Sequence, residues 1–261
     1  MPSGTIETIR VADCSVKLMR GGKGPPLLFL HGAAGAGVWL PFMAALSEHY
    51  DVIVPDHPGF GRSDTPEWLD QLSDIAYFYL DFIEALDLDH VHLVGNSLGG
   101  WIAAEIAIRS TGRLSTLTLI GAAGIHVNGV PKGDLFLWPP EERTRNLFFN
   151  QRLAEQRLAQ PMTEEQGDIA LKNELATANL AWQPRFHDPQ LRKWLHRIDV
   201  PTLIVWGDSD KFFPKQYGDA YHRLIKGSRF EVVSACGHLP HVEKADAFVD
   251  LFKRFAAEHV S

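Results

Sequence analysis

The chain has 261 residues, of which 45% are hydrophobic and 22% are charged, and its formal net charge at pH 7 is −7. This composition is typical of an ordinary globular protein that is long enough to bury a sizeable core, and we expect one main domain. The negative charge, together with the lack of any lysine or arginine run, argues against nucleic acid as a partner.

The cysteine and histidine content argues against a disulfide framework and against a metal centre. Two cysteines, Cys14 and Cys236, are too few for such a framework. The twelve histidines are scattered along the chain, and His238 and His241, which lie near each other, lack the further ligands that a metal site needs. We therefore expect neither a metal nor a cofactor.

The amino terminus gives an expectation for location. Residues 1–5 contain neither the basic segment nor the apolar core of a secretory signal peptide. No apolar stretch reaches the ~18 residues that a membrane span needs. We expect a cytoplasmic protein with no membrane partner, and the sequence makes no prediction of oligomeric state.

The pattern of apolar residues predicts an α/β fold. Residues 6–18 alternate loosely and end at a glycine-rich turn, which is typical of an amino-terminal hairpin. Thereafter short apolar runs alternate with helical stretches, as in a mostly parallel sheet that is covered by helices on both faces. The predicted strands are 27–30, 52–55, 91–94, 114–120, 202–206 and 230–233, and the predicted helices are 41–49, 72–86, 98–109, 215–225 and 245–258.

The first predicted strand of the parallel region ends in a loop of small residues, His31-Gly32-Ala33-Ala34-Gly35. Such a loop allows the backbone to approach a substrate closely. Attack on a carbonyl places negative charge on oxygen, which preorganised N–H donors stabilise. We predict that the backbone N–H groups of Ala33 and Leu98 form this oxyanion hole, and that His31 supports the loop from below.

The next loop carries the sequence Asp56-His57-Pro58-Gly59-Phe60-Gly61-Arg62-Ser63. Asp56 is an acidic residue at the end of a strand and could be mistaken for a catalytic acid. It follows the wrong strand for that role, however. We expect Asp56 to hold the shape of its loop by hydrogen bonding.

A possible nucleophile lies at the next strand end. Gly95-Asn96-Ser97-Leu98-Gly99 is placed between an apolar run, residues 90–94, and a helical stretch, residues 100–109. In a sharp strand-to-helix turn of this kind, the G-x-S-x-G pattern exposes its serine as a nucleophile. The pattern alone is a weak signal, so the assignment of Ser97 depends on partners downstream.

Those partners are an acid and a histidine, because a serine hydroxyl needs a base and the base needs an orienting carboxylate. Asp210 follows the predicted strand 202–206 in a G-x-x-D-x-x-x-P arrangement, which favours it over its competitor Asp208. His238 follows the last predicted strand, after a glycine that permits the loop to bend. We predict a catalytic triad of Ser97, Asp210 and His238.

Between residues 124 and 198 the alternation stops, and the sequence predicts helices without strands. We expect one helix over 141–158, a second that opens at the capping box of Thr163 and runs to about 181, and a short third one capped by Asp188-Pro189. The domain prediction is a core of 1–124 and 198–261 with a helical lid, 125–197. Its many large apolar side chains favour an apolar pocket.

Five motifs resemble those of the α/β-hydrolase fold superfamily, over essentially the full chain. They are His31-Gly32, the loop 56–63, the Ser97 turn, the Asp210 loop and Gly237-His238. The resemblance implies a mostly parallel, eight-stranded sheet with an inserted lid. It also implies a hydrolase, and a serine nucleophile favours acyl transfer. Our first hypothesis is therefore hydrolysis of a small, apolar carboxylic ester through an acyl-enzyme.

Two alternatives remain open. Relatives that hydrolyse carbon-carbon bonds in ring-fission products usually carry H-G-x-G-P-G and a tryptophan after the catalytic G-H. This chain instead has Ala34, Gly35 and Ala36 at the last three positions of that motif and Leu239 after His238. Those enzymes bind a substrate carboxylate with arginine, and the predicted lid supplies candidates. They are Arg143, Arg145, Arg152, Arg157 and Arg185. The second alternative is a ligand-binding receptor on the same fold, for which an intact triad is unnecessary.

Overall fold

Eight strands form one sheet in the computed structural model, which describes residues 4–259. Their order across the sheet is β1-β2-β4-β3-β5-β6-β7-β8. The strands are β1 Thr5–Val11, β2 Cys14–Gly21, β3 Pro26–Leu30, β4 Asp51–Pro55, β5 Val91–Asn96, β6 Leu114–Ile120, β7 Thr202–Gly207 and β8 Arg229–Val233. The predicted hairpin is β1 and β2, which pair antiparallel; β2 also pairs antiparallel with β4, and all later pairs are parallel. The predicted mostly parallel, eight-stranded sheet is confirmed.

Helices cover both faces of this sheet. They are α1 Pro41–Leu46, α2 Leu72–Ala85, α3 Leu98–Arg109, α4 Pro140–Leu147, α5 Gln151–Leu158, α6 Glu164–Ala181, α7 Leu191–Trp194, α8 Gln216–Leu224, α9 Pro240–Glu243 and α10 Ala245–Ala257, with a 3-10 turn at Leu195–Arg197. In β3, Leu28 and Leu30 pack in the core under α2 and α3, while Leu27 and Phe29 pack in the core under α1 and α10. The alternation follows from the two-residue period of a strand.

Four helices, α4 to α7, lie between β6 and β7. We call residues 125–197 the helical insertion. The prediction of one helix over 141–158 is wrong, because the chain breaks between α4 and α5. Phe148 is extended and buried there, and the Asn150 side chain accepts a hydrogen bond from the N–H of Arg152, which starts α5. Burial of an aromatic ring therefore outweighs helical continuity at this point.

The remaining helices of the insertion follow the sequence pattern more closely. The N–H of Gln166 donates to Thr163 Oγ1 at 3.2 Å and the N–H of Thr163 donates to Gln166 Oε1 at 2.9 Å, so the capping box is formed and α6 begins as predicted. The third helix is a single turn that begins at Leu191, and its predicted cap is wrong. Gln190 occupies the N-cap position without a side-chain cap hydrogen bond, and Asp188 Oδ1 instead accepts the N–H of Gln190 in the preceding turn.

In the part of the chain that the structure describes, no helix combines the length and the apolar character that are needed to cross a bilayer. Residues 1–3, on which part of the expectation about the amino terminus rests, lie outside the described residues.

A buried histidine makes stability depend on pH. His92 in β5 is 3% exposed and its Nδ1 lies 2.8 Å from Thr116 Oγ1. Burial lowers the pKa of His92 to about 4, whereas an imidazole in an unfolded chain titrates near about 6.5. Between these values the unfolded chain binds a proton that the folded protein does not. The free energy of unfolding therefore decreases as the pH falls from 6.5 towards 4.

Between pH 7 and about pH 4.5, we expect the free energy of unfolding to decrease by about 2 to 3 kcal/mol less in His92→Gln than in the wild type. Urea unfolding at both pH values measures this difference. The exposed His49 provides the control, because His49→Gln should leave the pH dependence unchanged. An undiminished loss in His92→Gln would contradict the assignment.

Candidate active site

The turn between β5 and α3 places Ser97 at the carboxyl edge of the sheet. Ser97 has a φ of +56°, a left-handed conformation that costs energy for any residue with a side chain. Neighbouring backbone hydrogen bonds hold it there. The N–H of Ser97 donates to the carbonyl of Ile120 at 2.9 Å, and the N–H of Ala123 donates to the carbonyl of Ser97 at 3.0 Å.

Two glycines make this turn possible. A Cβ at Gly95 would collide with the carbonyl of Gly99, and a Cβ at Gly99 would collide with the carbonyl of Leu30 at the end of β3. Because both positions need the close approach of bare backbone, the G-x-S-x-G pattern has a steric reason here.

Asp210 and His238 meet at the neighbouring strand ends, as predicted. His238 Nδ1 lies 2.7 Å from Asp210 Oδ2, and the other carboxylate oxygen, Oδ1, accepts the N–H groups of Phe212 at 2.8 Å and Phe213 at 2.9 Å. An ionised carboxylate only accepts hydrogen bonds, so Nδ1 carries the proton and donates to Asp210. Nε2 is then a free acceptor. It is buried and has no hydrogen-bond partner among residues 4–259.

The imidazole of His238 lies next to the Ser97 turn. A Cβ at Gly121 would be 3.1 Å from both Cε1 and Nδ1 of His238. Gly121 lies between two residues that bond to Ser97. The carbonyl of Ile120 accepts the N–H of Ser97, and the N–H of Ala123 donates to the carbonyl of Ser97. The structure therefore brings Ser97, Asp210 and His238 to one edge of the sheet, where they are 4%, 5% and 2% exposed.

The competing carboxylate, Asp208, has a different role. It accepts hydrogen bonds from the hydroxyl of Ser209 at 2.8 Å and from the N–H groups of Ala235 at 3.1 Å and Cys236 at 3.4 Å. These contacts, the Ser209 hydroxyl first, lower the pKa of Asp208. Asp208 thus joins the loop after β7, which we call the acid loop, to the loop that carries His238.

Cys236, two residues before His238, does not compete as a nucleophile. Its side chain is fully buried, and burial raises the pKa of the thiol to about 12. A thiol acts as a nucleophile through its thiolate, so the protonated Cys236 is inert at neutral pH.

The loop that carries His238 is fastened to the helical insertion. The N–H of His238 donates to the carbonyl of Leu147 at 2.8 Å. Glu243 Oε1 accepts the N–H of Gly237 at 2.7 Å, while Oε2 accepts those of Phe149 at 3.0 Å and Asn150 at 2.8 Å. The Glu243 carboxylate therefore links the segment between α4 and α5 to the loop that carries His238.

The small-residue loop after β3 lies against the Ser97 turn. A Cβ at Gly32 would be 3.3 Å from the Cβ of Ser97. The carbonyl of Gly32 accepts the N–H of Gly35 at 3.0 Å and lies 2.7 Å from His31 Nδ1. Since a peptide unit is planar and trans, fixing this carbonyl also fixes the direction of the Ala33 N–H, which points the opposite way. In the described residues that N–H donates to no protein acceptor.

Below this loop, His31 belongs to a buried chain of hydrogen bonds, as expected for a supporting residue. His31 Nε2 accepts the N–H of His57 at 3.2 Å, so the proton of His31 is on Nδ1 and is donated to Gly32. His57 Nε2 donates to the carbonyl of His31 at 3.0 Å, and its Nδ1 accepts the hydroxyl of Tyr79 at 2.6 Å. Burial lowers the pKa of both histidines, which keeps this network neutral.

Sequence reasoning missed two residues of α6 that reach the same loop from above. Asn173 Nδ2 donates to the carbonyl of Ala34 at 3.0 Å, and its Oδ1 accepts the N–H of Gly61 at 2.8 Å. Thr177 Oγ1 donates to the carbonyl of Ala33 at 3.4 Å. Ala34 lies in the small-residue loop, but Asn173 is far from it in sequence and lies in no motif, so no pattern could have paired them.

The five arginines named above as candidates for binding a substrate carboxylate are paired with other groups or exposed. Arg143 pairs with Glu174 at 2.6 Å, and Arg145 pairs with Glu155 at 2.8 Å. Arg185 pairs with Asp134 and stacks 3.8 Å above the ring of Trp182, while Arg152 and Arg157 are exposed.

Known proteins are similar to this chain. The 2-hydroxy-6-oxo-6-phenylhexa-2,4-dienoate hydrolase of Burkholderia cepacia is 31% identical over 283 residues, which cover 97% of this chain and 95% of the relative. Lipase 1 of Psychrobacter immobilis is 25% identical over 260 residues, covering 90% of this chain and 77% of the lipase.

A solved structure of a membrane phospholipase A superposes with a TM-score of 0.81 at 25% identity, covering 98% of this chain and 86% of that one. The family model of the alpha/beta hydrolase fold matches residues 25–245, which span most of the sheet and the Ser97, Asp210 and His238 loops. The chain therefore belongs to the α/β hydrolase fold family.

Proposed function

We propose that this hydrolase acts through Ser97 as nucleophile, His238 as general base and acid, and Asp210 as the group that orients the imidazole. The observation that carries the proposal is the hydrogen bond of 2.7 Å between His238 Nδ1 and Asp210 Oδ2. It fixes the tautomer that leaves the lone pair of Nε2 free, and Nε2 is buried beside the Ser97 turn without a partner in the described residues. A base in this state is ready to take the proton of a serine hydroxyl.

In the first half of the reaction, Ser97 Oγ attacks the acyl carbonyl while its proton moves to His238 Nε2. The electron pair of the carbonyl moves to oxygen, where the N–H groups of Ala33 and Leu98 stabilise it. Collapse of the tetrahedral intermediate breaks the bond to the leaving group, which takes the proton from His238 and departs as an alcohol. Water then repeats the same steps on the acyl-enzyme and releases the acid.

We place carboxylic esters first among the substrates. We call residues 31–35 the oxyanion loop. The insertion residues that bond to it, Asn173 and Thr177, are neutral, and the five candidate arginines pair with Glu or Asp or are exposed. A neutral surrounding suits an uncharged ester better than an anionic substrate. The similarity to a lipase and to a phospholipase supports the same choice.

The second candidate is hydrolysis of a carbon-carbon bond in a meta-cleavage product. Relatives with that activity in their names, such as the Burkholderia cepacia enzyme, favour it. The same triad could serve this reaction, in which the leaving group departs from carbon. The two candidate reactions differ in the binding group that the site must supply. A dienoate carries a carboxylate, which needs a cationic partner, whereas an uncharged ester does not.

We also propose that the helical insertion, 125–197, acts as a lid over a core formed by 1–124 and 198–261. The support is its position, because Leu147, Phe149 and Asn150 bond the loop of His238 while α6 covers the opposite side of the site. Ser97 and His238 are only 4% and 2% exposed beneath it. Movement of the insertion would open the site to an apolar substrate.

Ser97→Ala should lower kcat by about 10⁴-fold or more, because the nucleophile is lost while the fold is kept. Turnover of a p-nitrophenyl ester and circular dichroism of the same sample measure both. The exposed Ser110 offers the matched control, and Ser110→Ala should retain full activity. Near-normal turnover by Ser97→Ala would rule out the proposed nucleophile.

The two carboxylates of the acid loop should behave differently. Asp210→Asn should reduce kcat by about 10⁴-fold, because an amide no longer selects the His238 tautomer with a free Nε2. Asp208→Asn should reduce kcat less than about 10-fold, since Asp208 supports a loop rather than the imidazole. Parallel ester kinetics on the two variants decide the point, and a larger effect at Asp208 would reverse the assignment.

A substrate panel separates the two reaction classes. We expect Ser97-dependent turnover of p-nitrophenyl esters, with kcat/KM at least about 10-fold above that for a 2-hydroxy-6-oxo dienoate. The reason is that every arginine in residues 4–259 is either exposed or already paired with a carboxylate of the protein. The release of p-nitrophenol and the loss of the dienoate chromophore are followed by absorbance. Preferential cleavage of the dienoate would make the carbon-carbon hydrolase the correct function.

A further inference from the structure

Helix α6 of the insertion holds the backbone of the oxyanion loop through Asn173. The side chain of Asn173 is 2% exposed, and both ends of its amide are used. Its Nδ2 donates to the carbonyl of Ala34 and its Oδ1 accepts the N–H of Gly61, so one amide joins the loop after β3 to the loop after β4. Gly35, with a φ of +89°, leaves the space that Asn173 Nδ2 occupies.

Three successive carbonyls of the oxyanion loop are held in this way. The Gly32 carbonyl is held by His31 and Gly35, the Ala33 carbonyl by Thr177, and the Ala34 carbonyl by Asn173. Each planar peptide transmits the direction of its carbonyl to the N–H of the following residue. With all three peptide planes fixed, the Ala33 N–H has one direction before substrate arrives. Preorganised donors of this kind are the ones that stabilise an oxyanion effectively.

We propose that Asn173 is a positioning residue of the oxyanion hole, so that the hole is complete only when α6 of the insertion is seated on the loop. The inference rests on the proposed serine mechanism. It goes further by assigning a role in transition-state stabilisation to a residue of the insertion that contacts neither the nucleophile nor the base. Closure of the insertion and assembly of the catalytic groups are then one event.

A purely structural role for Asn173 would predict something else. An amide that only fastens the insertion to the core would change the stability of the protein when it is removed, because the Ala34 carbonyl and the Gly61 N–H lose their partner. It would not change binding of a transition-state analogue more than binding of a ground-state ligand. The two roles are therefore separable by measuring both ligands on the same variant.

The experiment uses a trifluoromethyl ketone that carries the acyl chain of the best ester. Ser97 Oγ adds to its carbonyl carbon, the carbonyl electron pair moves to oxygen, and the Ser97 proton moves to His238. The product is a hemiketal whose oxyanion lies in the hole. The corresponding methyl ketone, which stays a ketone, reports ground-state binding. Binding of the trifluoromethyl ketone is followed by ¹⁹F NMR, and binding of the methyl ketone is measured by competition.

In Asn173→Ala we expect the Kd of the trifluoromethyl ketone to rise about 10- to 100-fold and kcat for the ester to fall by a similar factor. This is less than the effect of deleting a donor, because the Ala33 N–H remains but is no longer aimed. KM and the Kd of the methyl ketone should change less than about 3-fold.

Two further variants of α6 make the test specific. Asn173→Asp keeps an oxygen for the Gly61 N–H but loses the donor to the Ala34 carbonyl, so it should resemble Asn173→Ala. Thr177→Val removes the weaker bond to the Ala33 carbonyl at nearly constant volume, and it should show the same selective effect at about 2- to 5-fold. This variant carries the test if the Asn173 variants fold poorly. The exposed Asn179 on the same helix is the control, and Asn179→Ala should match the wild type.

The outcomes separate this inference from the proposed function. If the wild type forms no hemiketal, or if Ser97→Ala forms it equally well, the serine mechanism itself is wrong. If the wild type forms the hemiketal but folded Asn173→Ala and Asn173→Asp bind both ketones as the wild type does, Asn173 has no part in the oxyanion hole.

Discussion

The site depends on one backbone constraint, the left-handed turn at Ser97. Bare backbone at Gly95 and Gly99 allows β5 to pass directly into α3. Hydrogen bonds with Ile120 at the end of β6 and with Ala123 just after it keep Ser97 at a φ of +56°. Gly121, between these two partners, lies against His238. The Ser97 turn thereby sets the position of the Ser97 hydroxyl, of the first N–H groups of α3 and of the surface on which the His238 imidazole lies.

The helical insertion contacts this arrangement from two sides. At the break between α4 and α5, Glu243 and the carbonyl of Leu147 tie it to the loop of His238. From α6, Asn173 ties it to the oxyanion loop. The insertion is thus bonded to the loops that carry His238 and Ala33, the proposed base and the proposed oxyanion donor. A substrate that enters by displacing it would disturb both, and its return would restore both, which links binding to the assembly of a competent site.

Much of this could be predicted from the sequence, for physical reasons. Short apolar runs and glycines at close backbone approaches are local signals, so the sheet, the Ser97 turn and the Asp210 and His238 loops follow from short stretches. The helix predicted over 141–158 failed because the burial of Phe148 and the bonds from Glu243 are tertiary effects. The contact of Asn173 with Ala34 was unpredictable for the same reason, since nothing local to either residue indicates the other.

The most direct test of the central claim, that His238 activates Ser97 as the nucleophile, is covalent labelling with a fluorophosphonate followed by intact-mass measurement and peptide mapping. Attack by Ser97 Oγ forms a bond to phosphorus, fluoride leaves, and the proton goes to His238. The account predicts one adduct per chain, on Ser97, with labelling greatly slowed in His238→Gln. A folded protein that is not labelled, or that is labelled at another residue such as Cys236, would contradict it.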